Sequence, residues 1–425
     1  MTPLRRLAVV ALTVLLVAPS IARGALEPYD IDVILPISGP GAYVGSTHQK
    51  ALTALEGVVN KDGGIKGRPV HFIFHDDQTN PQISVQLANQ VIAKKPAVVL
   101  GSSLGALCKA TQPLFTSGPV DYCVSPVIYP EKGGYVFSAS ASGVDFILAS
   151  IRFLRGKGLK RIATLNTTDA SGQIADNDIA NILKLPENRD VTLVASEHFN
   201  PSDISAKAQV AKIKSANPQA LIVWAPGTPF GTALHAIADD GLEIPVLTTS
   251  ANMIVNQMKS YAGFTPKNVY FQGLSYVAGV ARSKDTKPMQ VFTAALKANG
   301  IPQDFQSGIA WDPAMIVIDA LRHLKPNATA AALHEYLENL NTYVGIAGVY
   351  NFRDGNQRGL TVDDVLIMRW NGEKSDFVSA SRFGGFPLDR RCSCPNRDRR
   401  ASMRSRCTLG AAAPGRRKNG NSFRW

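Results

Sequence analysis

Val98-Val99-Leu100-Gly101-Ser102-Ser103-Leu104-Gly105-Ala106-Leu107 (VVLGSSLGAL) runs from an apolar strand through a glycine turn and two serines into the start of a helix. A short apolar run, a glycine break and then helical periodicity mark a strand-to-helix junction. The unit recurs on both sides of this stretch. Strands are expected at 29–36, 70–74, 97–100 and 119–124, separated by helices at 45–60, 81–93 and 104–115. A second series opens with a helix at 146–155. It continues through strands at 161–165, 191–196, 220–224 and 245–248, between helices at 171–185, 204–216 and 229–240. Beyond it come a strand near 270–272, helices at 290–298, 312–324 and 328–340, and a last strand at 365–370, before the pattern fades at Ser379. Strands spaced by amphipathic helices build parallel sheets covered on both faces. The expected fold class is therefore α/β, with two doubly wound, Rossmann-like units.

The serines within the opening stretch admit two readings. Gly101-Ser102-Ser103-Leu104-Gly105 fits G-x-S-x-G, the nucleophile elbow of serine hydrolases, with Ser103 as nucleophile and the Leu104 amide in the oxyanion hole. That reading also needs an acid and then a histidine in a loop after the last strand. His198, His235, His323 and His334 all fall on or beside expected elements instead. The other reading is a ligand cradle. Open parallel sheets bind ligands outside the carboxyl ends of their strands. Here those ends fall at 38–41, 101–105, 125–129, 167–172, 225–228 and 249–252. Small polar residues there expose backbone N–H groups and helix N-termini to an anion.

Other chemistry is poorly supported. The glycines of 39–45 lack dinucleotide spacing, and no Walker pattern occurs, so no cofactor is expected. His71, His75, Asp76 and Asp77 crowd one strand end, where a solvated polar edge is preferred over a metal set, and no metal is expected.

The chain has 425 residues, 45% hydrophobic and 18% charged, enough for more than one core. Its net charge of +12 is concentrated at the ends. Arg5, Arg6 and Arg23 contribute +3, and residues 382–425, with 12 basic and two acidic side chains, contribute +10, which leaves −1 for the body at 25–381. Nucleic acid is therefore not an expected partner of the body. Arg5 and Arg6 precede an apolar run at 7–19 and a small-residue site at 22–24, the pattern of a signal peptide spanning 1–24, with cleavage after Gly24 or Ala22. No cysteine follows the run, so an exported, unanchored periplasmic protein is expected. The tail at 382–425 carries Cys392, Cys394 and Cys407 without a Cys-x-x-Cys pair. It reads as a non-functional extension, with a basic interaction tail or a cysteine metal site as alternatives. Cys108 and Cys123 are either a disulfide, which an oxidising compartment permits, or two buried thiols.

Three stretches carry a resemblance. Residues 34–40 (ILPISGP) lead into Ala42-Tyr43-Val44-Gly45, residues 60–69 read NKDGGIKGRP, and residues 76–81 read DDQTNP. Over 29–381 the chain resembles the periplasmic solute-binding proteins of ABC transporters, in the leucine/isoleucine/valine-binding branch with the type I fold. The resemblance implies two lobes, 25–145 with 275–348 and 146–274 with 349–381, joined by three crossings near 145, 274 and 349 and closing on a ligand. It implies that Ser102, Ser103 and Gly105 hold a ligand carboxylate through serine and backbone donors, flanked by Val127 and Tyr129. In the second lobe it points to Thr168, Asp169, Ser171 and Asn252, with Tyr276 and Trp311 as aromatic surfaces. The family's amino acid binders usually carry tyrosine before the glycine, where this chain has Ser171-Gly172. An acidic partner for an ammonium is missing from 249–252, leaving Asp169. The set suits an aromatic acid or an amino-acid-like carboxylate. The implied role is capture of a solute by a monomer and delivery to ABC permease subunits, without catalysis. A ligand-sensing module is the alternative, followed by the Ser103 hydrolase.

Overall fold

A computed structural model describes residues 26–388. The expected leader and the cysteines at 392, 394 and 407 lie outside the described residues. The chain opens with β1 (Tyr29–Leu35), α1 (Ala42–Lys61), β2 (Val70–Asp76), α2 (Pro81–Ala93), β3 (Val98–Leu100), α3 (Gly105–Thr111), β4 (Val120–Cys123) and β5 (Val136–Ser138). The strands form one parallel sheet in the order β2-β1-β3-β4-β5. Local sequence accounts for the helix starts. Asn80 accepts hydrogen bonds from the amides of Gln82 and Ile83, and Pro81 occupies the first helical position, where a missing N–H costs nothing.

The second series is α4 (Gly143–Gly156), β6 (Arg161–Thr167), α5 (Ala170–Leu183), β7 (Thr192–Phe199), α6 (Lys207–Ser215), β8 (Ala220–Trp224), α7 (Thr228–Asp239), β9 (Val246–Thr248), α8 (Val255–Ser260) and β10 (Val269–Leu274). Ser142 and Asp145 cap α4 reciprocally. The chain then returns to the first sheet with α9 (Lys287–Ala298), α10 (Phe305–Ile309), α11 (Trp311–His323), α12 (Ala330–Glu338) and the hairpin β11 (Tyr343–Val344) and β12 (Val349–Tyr350). Finally β13 (Val365–Asn371) pairs antiparallel with β10 and β14 (Asp376–Ser379) with β13, giving the order β14-β13-β10-β9-β8-β6-β7. The structure is thus two doubly wound α/β lobes, the type I periplasmic binding protein fold. The chain passes between the two sheets after β5, after β10 and after β12.

Two polar anchors hold these passages. Asp312, buried at the start of α11, accepts the amides of Ile346 and Ala347 and the Tyr350 hydroxyl. Ser275, at the second passage, donates to the Ile346 carbonyl at 2.6 Å. Cys108 and Cys123 are joined as a disulfide with Cα atoms 6.0 Å apart, tying α3 to β4.

The structure departs from the sequence reading at several short elements. β5, α8, α10, each strand of the β11–β12 hairpin and β14 span six residues or fewer, too few for a periodic signal. Nor does folded chain end at Ser381. Residues 382–388 lie back on α4: the Arg382 amide bonds the Phe386 carbonyl at 2.7 Å, Ser381 bridges to Pro387, and Arg152 sits 5.7 Å from the Phe386 ring.

Candidate functional site

The rim of the first lobe is built by the residues of the DDQTNP stretch. Asp76, at the end of β2, accepts the amides of Ile37, Ser38 and Gln78 and the Ser38 hydroxyl. Burial alone would raise its pKa, but these bonds outweigh burial and lower it. Thr79 accepts the Gly41 amide and donates to the Ser38 carbonyl, so β2 fixes the loop that leads from β1 into α1. Asp77 is buried, which raises its pKa. Against this it accepts the Ser102 and Ser84 hydroxyls and the Thr79 amide. His71 and His75 instead pair with Asp30 at 3.0 Å and Asp32 at 2.7 Å. No three-residue metal-ligating group occurs among the described residues.

Both serines of the opening stretch are buried with their hydroxyls engaged. Ser102 donates to Asp77 Oδ2 at 2.8 Å. Ser103 Oγ lies 2.6 Å from His48 Nδ1, and His48 Nε2 lies 3.1 Å from Gln306 Oε1. Beside them Tyr43 reaches Asp304, a buried carboxyl pushed up to about 6 and also hydrogen-bonded to backbone amides. Ser102's proton is used on Asp77, and Ser103's hydroxyl is in contact with a ring nitrogen. Sequence reading overlooked His48, Gln306 and Asp304. A signal existed for His48, which falls on the buried stripe of α1 with Gly45, Ala51, Leu52 and Leu55.

A serine beside a histidine is not a hydrolase here. Burial holds His48 down to about 4, too weak a base to activate a hydroxyl near neutrality. Its far nitrogen meets an uncharged amide rather than the carboxylate that stabilises an imidazolium in a triad.

Gly105 packs against Val127, whose Cγ2 would lie 2.2 Å from any Cβ at that position, so the two strand-end loops meet. Tyr129 is 52% exposed. Its hydroxyl reaches the Val144 amide of α4, in the second lobe, and its ring lies 5.3 Å from the Arg358 guanidinium. Arg358, in the third passage, donates to Ser138 Oγ at 2.8 Å, and its Nη2 is buried without a hydrogen-bond partner. Burial lowers its pKa to about 10.

In the second lobe the expected residues gather at the ends of β6, β8 and β9. Asp169 caps α5, accepting the Gly172 amide and the Thr167 hydroxyl on one oxygen. Thr168, next to it, is exposed. Ser171 accepts the Trp224 indole N–H at 3.0 Å, a contact sequence reading did not anticipate. Gly172 admits no side chain, since a Cβ would stand 1.7 Å from the Thr167 carbonyl oxygen. Asn252 is wholly buried, accepting the Gly227 amide and donating to Ala225 O and Thr248 Oγ1, so it ties two loops together. Tyr276 and Trp311 lie in the core rather than on an open surface. The Tyr276 hydroxyl bonds the Phe305 carbonyl at 2.9 Å, and Trp311 meets Phe292 edge-on with centroids 5.0 Å apart.

Loops of the two lobes meet where α10 approaches α8: the Phe305 amide donates to the Met253 carbonyl at 3.2 Å. Two α/β lobes with polar strand-end loops brought together are the arrangement of a two-lobed binding protein. A family profile described as periplasmic binding protein matches residues 28–376, and the chain belongs to that family. It is 25% identical over 376 residues to a Leu/Ile/Val-binding protein homolog 3 of Brucella melitensis, covering 80% of this chain and 95% of that one. It is 23% identical over 225 residues to a leucine-, isoleucine-, valine-, threonine- and alanine-binding protein of Pseudomonas aeruginosa, covering 52% of this chain and 59% of that one. Among solved structures it is similar to an extracellular ligand-binding receptor from Rhodopseudomonas palustris HaA2. The TM-score is 0.71 at 20% identity, over 83% of this chain and 99% of the other. The protein is thus a non-enzymatic periplasmic or extracellular binding protein that takes up a small polar or organic solute and delivers it to an ABC permease.

Proposed function

We propose that the solute is amino-acid-like, an aliphatic amino acid or a close analogue, rather than an aromatic acid. The observation that carries this reading is the burial of Tyr276 and Trp311, which are 0% and 3% exposed and packed against other core rings. They offer no platform for an aromatic ligand. One relative is named a leucine-, isoleucine-, valine-, threonine- and alanine-binding protein and another a Leu/Ile/Val-binding protein homolog, which supports the same reading. The ligand would lie between Gly105, Val127 and Tyr129 of the first lobe and Thr168, Asp169 and Ser171 of the second. The lobes, 25–145 with 275–348 and 146–274 with the rest of the folded chain, would close by rotation at the three passages. Ligand favours the closed form by its higher affinity for it. Thermal unfolding of the purified chain with L-leucine, L-isoleucine, L-valine, benzoate and 4-hydroxybenzoate tests this. A true ligand at a hundred times its Kd stabilises by about 2.7 kcal/mol. A shift with the benzoates and none with the amino acids would reverse the assignment.

A further inference from the structure

At the first-lobe site α3 is the element least able to hold its own place. It has seven residues, no side chain caps its start at Leu104, and it runs directly into a 3-10 turn. So short a helix is marginal on its own hydrogen bonds. The Cys108–Cys123 bond supplies a covalent tie from its first turn to the end of β4. Both sulfurs gather at the Ser102 carbonyl oxygen, Cys108 Sγ at 3.0 Å and Cys123 Sγ at 3.9 Å, and the Val124 amide donates to the same oxygen at 3.1 Å. The loops 101–105 and 124–129 flank this point. The first carries Gly105, and the second carries Tyr129 and Val127, whose side chain abuts Gly105. All three are residues proposed above to meet the solute. The two cysteines are themselves buried in an apolar cluster with Val99, Phe115 and Val136. A free cysteine packs as a small hydrophobe, so reduction leaves this core filled.

We infer that the Cys108–Cys123 bond sets the spacing of the two first-lobe loops for the solute, so that capture is strong only in the oxidised chain. This rests on the site given under the proposed function and adds a condition for its use. Loops already held in place lose less freedom when they take up a ligand, which is a gain in affinity without a new contact. As the bond forms, the two thiols give up two protons and two electrons, and a disulfide-bearing oxidant accepts both and leaves as two thiols. An oxidising compartment permits that exchange, and a reducing cytoplasm opposes it. A chain not yet exported therefore holds its solute weakly, and binding strengthens once the pair is oxidised outside. Cys108 and Cys123 touch no solute in this account and act as positioning residues.

The test compares full chain with the bond intact against chain reduced by dithiothreitol in urea, refolded and kept reduced, each state checked by a thiol count. In calorimetric titrations reduction should weaken L-leucine by roughly five- to fiftyfold, and glutathione disulfide should restore it. By linkage, bound L-leucine should disfavour reduction of the bond by the same factor. Chain carrying both Cys108→Ala and Cys123→Ala should bind like the reduced chain and ignore reductant, which separates this pair from the cysteines at 392, 394 and 407. Amide hydrogen exchange should quicken on reduction at 101–105 and 124–129 and not in β8. Equal affinity in the oxidised and reduced chains overturns the inference. Unfolding on reduction, or uniform acceleration of exchange, also overturns it, because the bond then supports the fold and not the loops. If the oxidised chain bound no L-leucine, the amino-acid-like reading would fall, while the exchange rates would still support or overturn the tie between bond and loops by themselves.

Discussion

Asp121 stands in the middle of β4 with both carboxyl oxygens buried and without a hydrogen bond. Burial pushes its pKa up to about 8. Between the unfolded value of 3.8 and about 8 the folded chain holds a proton that the unfolded chain has lost, so stability falls as pH rises through this window. His48 acts with the opposite sign. Its pKa is depressed from 6.5 to about 4, so its stabilisation is present above 6.5 and is lost as pH falls toward 4. Above pH 6.5 only the Asp121 effect remains of the two. Urea unfolding from pH 6.5 to 8 should show stability dropping by roughly 1.4 kcal/mol per pH unit, and Asp121→Asn should flatten that slope. A flat profile in the unaltered chain would show that Asp121 is solvated or paired. None of this was legible in the sequence, where Asp121 is one acidic residue in an apolar run. Its isolation follows from the register that places it between Val99 and Val136.

At the scale of elements, the long strands and helices were legible because each carries two or more periods of its pattern: α2 and β8 have the bounds that composition and caps imply. The short ones were not, and α3 shows why the site was harder still. Its seven residues end in a 3-10 turn, and its start depends on contacts made by other elements: Asp77 from β2's end, His48 from α1 and Val127 after β4. Sequence located the loop, but the donors and acceptors within it are set by partners 25 to 55 residues away. The DDQTNP stretch, quoted first as a family feature, proves to be the clamp on the β1–α1 loop. Asp76→Ala removes the acceptor for four hydrogen bonds, three of them from backbone amides. Because Asp76 is only partly buried, water replaces part of that loss, and the expected cost is about 1–2 kcal/mol in urea unfolding. Hydrogen exchange should speed up at Ile37 and Ser38 and not in β8. Uniform acceleration across both lobes would mean that Asp76 supports the whole fold rather than this loop.

At the scale of the molecule, the question is where the cooperative unit ends. The basic composition begins at Arg382, which placed a boundary there, yet packing continues to Leu388. Gly385 lies so close to α4 that a Cβ would stand 2.1 Å from the Ala149 carbonyl oxygen, and Pro387 Cδ would be 2.6 Å from a Cβ on Gly156. Phe383 receives the Arg282 guanidinium 5.0 Å from its ring centroid. These contacts cover α4, which also packs beneath β10 and β13 in the second lobe, so the segment closes that lobe's sheet face. Tolerance to truncation follows the burial of the removed backbone, not the composition of its side chains. A chain ending at Leu388 should therefore unfold at the same urea midpoint as the full chain. A chain ending at Ser381 loses the Arg382 to Phe386 bond, the bridge to Pro387 and the cover of α4, and should be less stable by about 2–3 kcal/mol. Its solute affinity should hold wherever it remains folded, because the residues proposed to meet the solute lie on the strand-end loops and not on this segment. Equal midpoints for the two truncations would return the boundary to Ser381, and a loss at Leu388 would extend the folded unit into the basic tail.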